Sequence, residues 1–371
     1  MRPRDLVALS ILAATMAAPL ACNVFLTVDR CSSDSDCPSG FACDGQGRFC
    51  IDRRLEAGPP DAGDPGTDAD PPDASPDVHV PPSPPRCDLG DPFGPAMLLA
   101  GLDQLSVHSG RLSEDETTLL FSASQPTCVE ERCADLYFAR REHRDAPFTI
   151  GGLLPGKNMS SPQASEYWPT MTADGLLLFF ESARSVEKVD GGHESDRSRI
   201  WNAIRPNTIA TFGEPYVQPV FDEIAETEGS PYIHPNGTSL YFMSGGRVGN
   251  KGLTDIFVAK LNEFGGASSV TNIEAINTPA AESAPVVSLD DEVLYFARED
   301  ASSRRHIMVS SRGSVDASFG AARLVEELKS ADEDFPTYMS SDQCRLYFVS
   351  NRVTPDSATK VFRLWMAERQ R

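Results

Sequence analysis

Basic residues are scarce in this chain. Across 371 residues, 33 Lys and Arg stand against 54 Asp and Glu, a formal charge of -21. A phosphate-binding surface needs a basic footprint, so nucleic acid is excluded as a partner. The same balance disfavours electrostatic docking on anionic lipid. The 6 histidines are scattered, none at metal-ligand spacing from a partner, so neither metal nor cofactor is expected. No G-x-S-x-G elbow, G-x-G-x-x-G loop, P-loop or H-E-x-x-H helix occurs, and no catalytic residue is assigned. Beyond residue 21 no apolar run is long enough to span a bilayer.

What is present begins with an export signal. Arg2 and Arg4 precede the apolar stretch 6–21, too short for a membrane span and suited to a cleaved secretory signal. It ends in "PLAC", which resembles a bacterial lipobox with Cys22 as the acylated residue, although Pro19 and Leu20 depart from the usual pattern. The expectation is an exported, lipid-anchored chain of the cell envelope, at the outer membrane or cell surface rather than soluble periplasm. Its contact with the membrane would run through that lipid alone. With Cys22 set aside, 8 of the 9 cysteines remain, enough for four pairs. Segment 22–56 holds Cys31, Cys37, Cys43 and Cys50, spaced too widely for a zinc site and read as two disulfides of open connectivity. Residues 57–86 carry ten prolines and six aspartates with almost no apolar bulk, a disordered, semi-rigid spacer of up to roughly 90 Å.

From residue 87 to 371 one phrase recurs. Its terminal phenylalanines, Phe121, Phe180, Phe242, Phe296 and Phe348, follow one another at intervals of 59, 62, 54 and 52 residues. A period of this size marks a propeller or another repeat array. Each unit has a first strand, entered through Glu-x-x-Pro in four of the five: Glu166, Glu228, Glu282 and Glu333. A polar turn follows at Asp115, Asp174, Asn236, Asp290 or Asp342, then a strand ending in "LLF", "LFF" or "LYF". A third strand is clearest in "ADLYFAR" and "TDIFVAK", and a fourth starts near Phe-Gly. Four antiparallel strands make a propeller blade. The last unit stops after its third strand, and residues 91–102 match the missing fourth. The expected fold is all-β, five blades closed by this N-terminal strand, with six blades as the alternative. Cys87 and Cys344 are placed to tie the two ends together, and Cys128 pairs with Cys133 within one loop.

These phrases resemble the WD-like repeats of TolB-type periplasmic propellers, over roughly residues 90–371. The resemblance implies a monomeric, non-catalytic scaffold that binds an envelope protein or peptide. The alternative is a carbohydrate-active propeller, a glycoside hydrolase or lyase using carboxylates at the channel mouth. Variable loops between second and third strands share one face with the Glu-x-x-Pro entries, where binding is expected. The four glutamates either cap backbone amides or form a charged ring there. Tyr167, Trp168 and Phe335 lie beside them, as ligand anchors or as packing between blades.

Overall fold

The computed structural model describes residues 41–43, 50–52, 87–124, 134–187, 193–194, 197–222, 226–262, 264–354 and 360–370. Two compact units divide the chain, Met1–Val78 and His79–Arg371. In the first, Phe41–Cys43 pairs antiparallel with Cys50–Asp52, with Cys43 opposite Cys50. The signal stretch, Cys22, Cys31, Cys37, the spacer 57–86, Cys128 and Cys133 lie outside the described residues.

The second unit is a five-bladed β-propeller of four-stranded antiparallel sheets. Blade one runs through Ser106–Leu112, Thr118–Ser124, Asp135–Arg140 and Thr149–Leu153. Blade two uses Glu166–Met171, Leu177–Ser182, Arg199–Ile204 and Tyr216–Val217. Blade three uses Thr227–Ile233, Ser239–Gly245, Asp255–Leu261 and Ala267–Asn272. Blade four uses Glu282–Val287, Val293–Glu299, Arg305–Ser311 and Arg323–Leu324. Blade five uses Asp334–Met339, Arg345–Ser350 and Arg363–Glu368, completed by the N-terminal Met97–Leu98. There Leu98 lies opposite Trp365 and Met97 opposite Met366, as the repeat count predicts. The first strands of successive blades contact one another all the way round, so they line the axis.

Alternation along the second strands explains the core. Phe121, Phe180, Phe242, Phe296 and Phe348 are all fully buried, packed where each sheet meets its neighbour. The turns that begin these strands follow one recipe. Asp174 accepts from the Thr172 hydroxyl at 2.6 Å and from the Leu176 amide at 3.0 Å, and the next residue, Gly175, has φ 73°. Blades one, four and five place Glu116, Asp291 and Gln343 in that left-handed position, at φ 59°, 58° and 60°. Each uses its side chain to reach an adjacent blade. Glu116 accepts from Arg345 and from the Tyr347 hydroxyl, Asp291 accepts from Tyr241 at 2.5 Å, and Gln343 donates to Asp290 at 2.9 Å. The backbone strain of these turns is thus offset by contacts that a glycine would lack.

Cys87 and Cys344 form a disulfide with Cα atoms 5.0 Å apart and 257 positions between them in sequence. The amide of Cys87 also donates to the Asp342 carbonyl at 3.1 Å, fixing the lead-in beside that turn. A loop of this length gives a closure contribution of about 5–6 kcal/mol on the chain-entropy argument. Urea unfolding should show it: the midpoint of the native protein falls on reduction to that of the Cys87→Ser, Cys344→Ser double variant.

Candidate functional site

At the upper end of each first strand in blades two to five sits one acidic residue, and burial decides its role. Glu166, Glu228 and Glu282 are 0%, 1% and 0% exposed, and so is Asp334 at 0%. Each is gripped by an arginine at the end of the second strand: Arg184, Arg247 and Arg352 lie just beyond it, and Arg298 lies near its last residue, directly opposite Glu282. Arg184 meets Glu166 at 2.7 Å, Arg298 meets Glu282 at 2.7 Å, Arg352 meets Asp334 at 2.6 Å, and Arg247 grips Glu228. The same guanidiniums donate to carbonyls of the chain arriving from the previous blade. Arg184 reaches Met159 at 2.9 Å, Arg352 reaches Leu328 at 2.8 Å, Arg247 reaches Val220 and Arg298 reaches Ile276. Their flat faces lie over the terminal phenylalanines, Phe180, Phe242, Phe296 and Phe348, at 5.2, 5.4, 5.3 and 4.9 Å.

The carboxylates therefore bind backbone and arginine rather than form an open charged ring. Glu166 accepts from the Ser161 amide at 3.3 Å, Glu282 from the Thr278 amide at 3.2 Å and Asp334 from the Ser330 amide at 3.0 Å. Burial pushes Glu166 and Glu228 up to about 7, with the paired arginines pulling the other way. Glu333 does not join them. The register sets Asp334 opposite Ser350, as Glu166 is set opposite Ser182, so the acid of blade five is one residue later than the Glu-x-x-Pro spacing suggests. Glu333 instead keeps 28% side-chain exposure and lies 3.4 Å from Arg305.

The first strands also bulge near their upper ends. In blade two the ladder skips between Tyr167 and Thr170, and Trp168 takes φ 52°. Ser230 and Ala284 hold the same left-handed place in blades three and four, at 48° and 52°. A bulge frees an amide from the ladder and re-aims the next side chain. The freed amides are satisfied across the blade boundary: Trp168 donates to the Ser109 hydroxyl at 3.0 Å, and Ser230 to the Glu181 carboxylate at 2.9 Å. Gly229 is glycine because a Cβ there would come within 2.1 Å of that carboxylate.

Re-aimed in this way, Trp168 reaches across blade one to Phe335 of blade five, their ring centroids 6.2 Å apart. Phe335 continues to Phe362 at 6.0 Å, Phe362 to His108 at 6.0 Å, and His108 to Tyr167 at 5.5 Å. Five partly exposed rings thus follow one another from Trp168 to Tyr167 over the axis-lining strand of blade one. Sequence reasoning singles out Tyr167, Trp168 and Phe335 and misses His108 and Phe362. His108 lies in the unit that lacks the Glu-x-x-Pro entry, and Phe362, read from the sequence as part of the third-strand phrase "KVFRLWM", falls just before that strand, which runs Arg363–Glu368. Arg305 stands beside this group, 5.9 Å over Phe335, and ion-pairs with Glu299 and Glu333, both at 3.4 Å. Among the described residues no cluster of His, Cys, Asp and Glu is arranged to hold a metal ion.

The chain matches no protein-family model and no curated protein. Several solved structures share its fold. A GH43_1 enzyme from Xanthomonas citri is 15% identical over 74% of this chain and 89% of its own, with a TM-score of 0.48. The catalytic domain of a Coprinopsis cinerea GH62 α-L-arabinofuranosidase is 9% identical over 76% of this chain and 97% of its own, with a TM-score of 0.46. A protein of unknown function from Dyadobacter fermentans is 10% identical over 76% of this chain and all of its own, with a TM-score of 0.47. At these identities the likeness concerns the fold alone. Two expectations are corrected. The TolB-type resemblance reduces to a five-bladed propeller, which the five four-stranded sheets show, because no family model matches. The non-catalytic protein-binding scaffold is corrected with it: no family model supports it, and three of the four mouth glutamates on which it relied are buried against arginines.

Burial holds the His108 ring down to about 4, against 6.5 for a free histidine. The unfolded chain takes up this proton as pH falls through 6.5, whereas the folded protein takes it up only near 4. Stability linked to His108 is thus complete above 6.5 and is lost between 6.5 and about 4. His108→Phe, which keeps a ring in the group, should remove about 2–3 kcal/mol of acid destabilisation. Urea midpoints of both proteins at pH 7 and pH 4.5 read the difference.

Proposed function

We propose that this propeller is a carbohydrate-active protein that holds a sugar at the mouth of its axis, on the platform of Tyr167, Trp168, Phe335, Phe362 and His108. The series of partly exposed rings in mutual contact carries this reading. Aromatic rings that stay accessible on a folded surface offer broad, stiff apolar faces at small entropic cost, and the C–H faces of sugar rings match them. Beside the platform, Arg305 supplies a planar fork of donors, and Glu299 and Glu333 supply acceptors. Sugar hydroxyls both donate and accept, so this mixture suits a polyol better than a peptide of one charge. Arg305, Glu299 and Glu333 keep 33%, 21% and 28% side-chain exposure, which leaves them open to a ligand.

Chemistry on a bound sugar would rest on Glu299 and Glu333, the carboxylates within reach of the platform. Glu166, Glu228, Glu282 and Asp334 are occupied by their arginines and do not serve. The reading includes export on a lipid at Cys22, so that the propeller works in the envelope on material outside the cytoplasm.

Affinity electrophoresis against soluble polysaccharides, arabinoxylan and galactans among them, tests binding, and a reducing-sugar assay tests turnover. The native protein should be retarded by at least one polysaccharide. Trp168→Ala should weaken that retardation at least tenfold, and Glu333→Gln should keep it while abolishing sugar release. Absence of both retardation and release across the panel would contradict the reading.

A further inference from the structure

Inside the channel, below the aromatic platform, lies a different kind of site. The side chain of Arg111, in the first strand of blade one, is 9% exposed. Its guanidinium lies 3.9 Å from the centre of the Tyr232 ring and 5.6 Å from that of Tyr338, stacked between blades three and five. Those faces offset part of its charge. Nevertheless its Nη1 is buried with no hydrogen-bond partner, and among the described residues no carboxylate lies within ion-pair distance. An uncompensated buried cation costs several kcal/mol, so such a group calls for a counter-charge.

The surroundings show where that charge would sit. A cavity of about 10 Å³ opens beside the guanidinium, lined by Arg111, Thr170 and Thr337, by Ser109 and Trp168, and by three prolines of the first strands. That volume admits one particle the size of a water molecule. The Thr337 hydroxyl is 4% exposed as a residue and also buried without a partner. The Thr170 hydroxyl accepts the Ile233 amide at 3.1 Å, so its own hydrogen is free to donate. The side chains round the cavity therefore offer donors from three blades and no carboxylate. The prolines contribute no N–H and wall the cavity with apolar surface. A water there would need acceptors for its own hydrogens as well as donors, and would leave the charge of Arg111 unbalanced.

We propose that the axis of the propeller binds a monatomic anion of the halide class, coordinated by Arg111, Thr170 and Thr337. It ties blades one, two and five together at the point where their first strands converge. The site adjoins the sugar platform, since Trp168 also lines the cavity, but its occupant is a single inorganic ion and its ligands Arg111, Thr170 and Thr337 are not platform residues.

Crystals of the full chain soaked in bromide test it directly through anomalous diffraction. An anomalous peak in the cavity between Arg111 and Thr337 is expected, falling to noise in Arg111→Met, which keeps the stem and removes the charge. In solution, the melting temperature of the native protein should rise with chloride relative to gluconate at equal ionic strength. This difference should shrink in Thr337→Val, a milder change for use if Arg111→Met does not fold. A native crystal with no anomalous peak in the cavity, or an equal peak in Arg111→Met, would overturn the proposal.

Discussion

The buried pairing of one acid with one arginine at the entrance of four blades is the constraint from which the rest of this propeller follows. The acid opens the first strand, and the arginine closes the second. Between them they fix where the chain from the previous blade must arrive. An ionised carboxylate with no exposure cannot stand alone, and neither can a largely buried guanidinium. Each arginine therefore collects the carboxylate, one or more backbone carbonyls and the face of the terminal phenylalanine. The pairs Glu166–Arg184, Glu228–Arg247, Glu282–Arg298 and Asp334–Arg352 repeat this device round the ring. Blade one has Ser106 and Ser124 in the corresponding register and lacks the pair; its entrance is held instead by Arg363, which donates to the Leu105 carbonyl at 2.9 Å.

That difference bears on where the site lies. Among the described residues blade one carries no acid–arginine pair, and the upper end of its first strand meets other side chains instead. Trp168 from blade two and Phe335 and Phe362 from blade five lean into that space and meet there with His108. The same bulge geometry that releases an amide toward Ser109 turns Trp168 toward the mouth. Scaffold and candidate site thus share a cause: the regular blades supply the pairs, and the irregular one supplies the opening. Lower down, Arg111 of the same blade enters the axis and stacks on Tyr232.

Much of the architecture was legible in the sequence. The "LYF" phrase and its polar turn mark every blade because both are set by short-range rules, side-chain alternation and turn chemistry. Closure by residues 91–102 and the bond between Cys87 and Cys344 follow from counting strands. The arginine partners were not legible. They lie 16 to 19 residues after their acids, at the end of the second strand or just past it, where no repeated phrase marks them. Asp334 was hidden behind Glu333, because two acids side by side leave the choice to strand register, which spacing from a proline does not fix. The ring group was only partly legible: Tyr167 and Trp168 sit in a repeated position, whereas His108 and Phe362 are brought to them by tertiary contacts alone.

A double-mutant cycle on Glu282 and Arg298 tests the central claim most directly, with unfolding free energies measured in urea for native, Glu282→Gln, Arg298→Met and double-variant proteins. Each single change leaves a buried group without its partner and should cost about 3–5 kcal/mol. The double variant should lose clearly less than the sum, giving a coupling of about 1–3 kcal/mol. Single losses below about 1 kcal/mol with no coupling would show that the pair merely decorates the blade entrance, and would contradict the account.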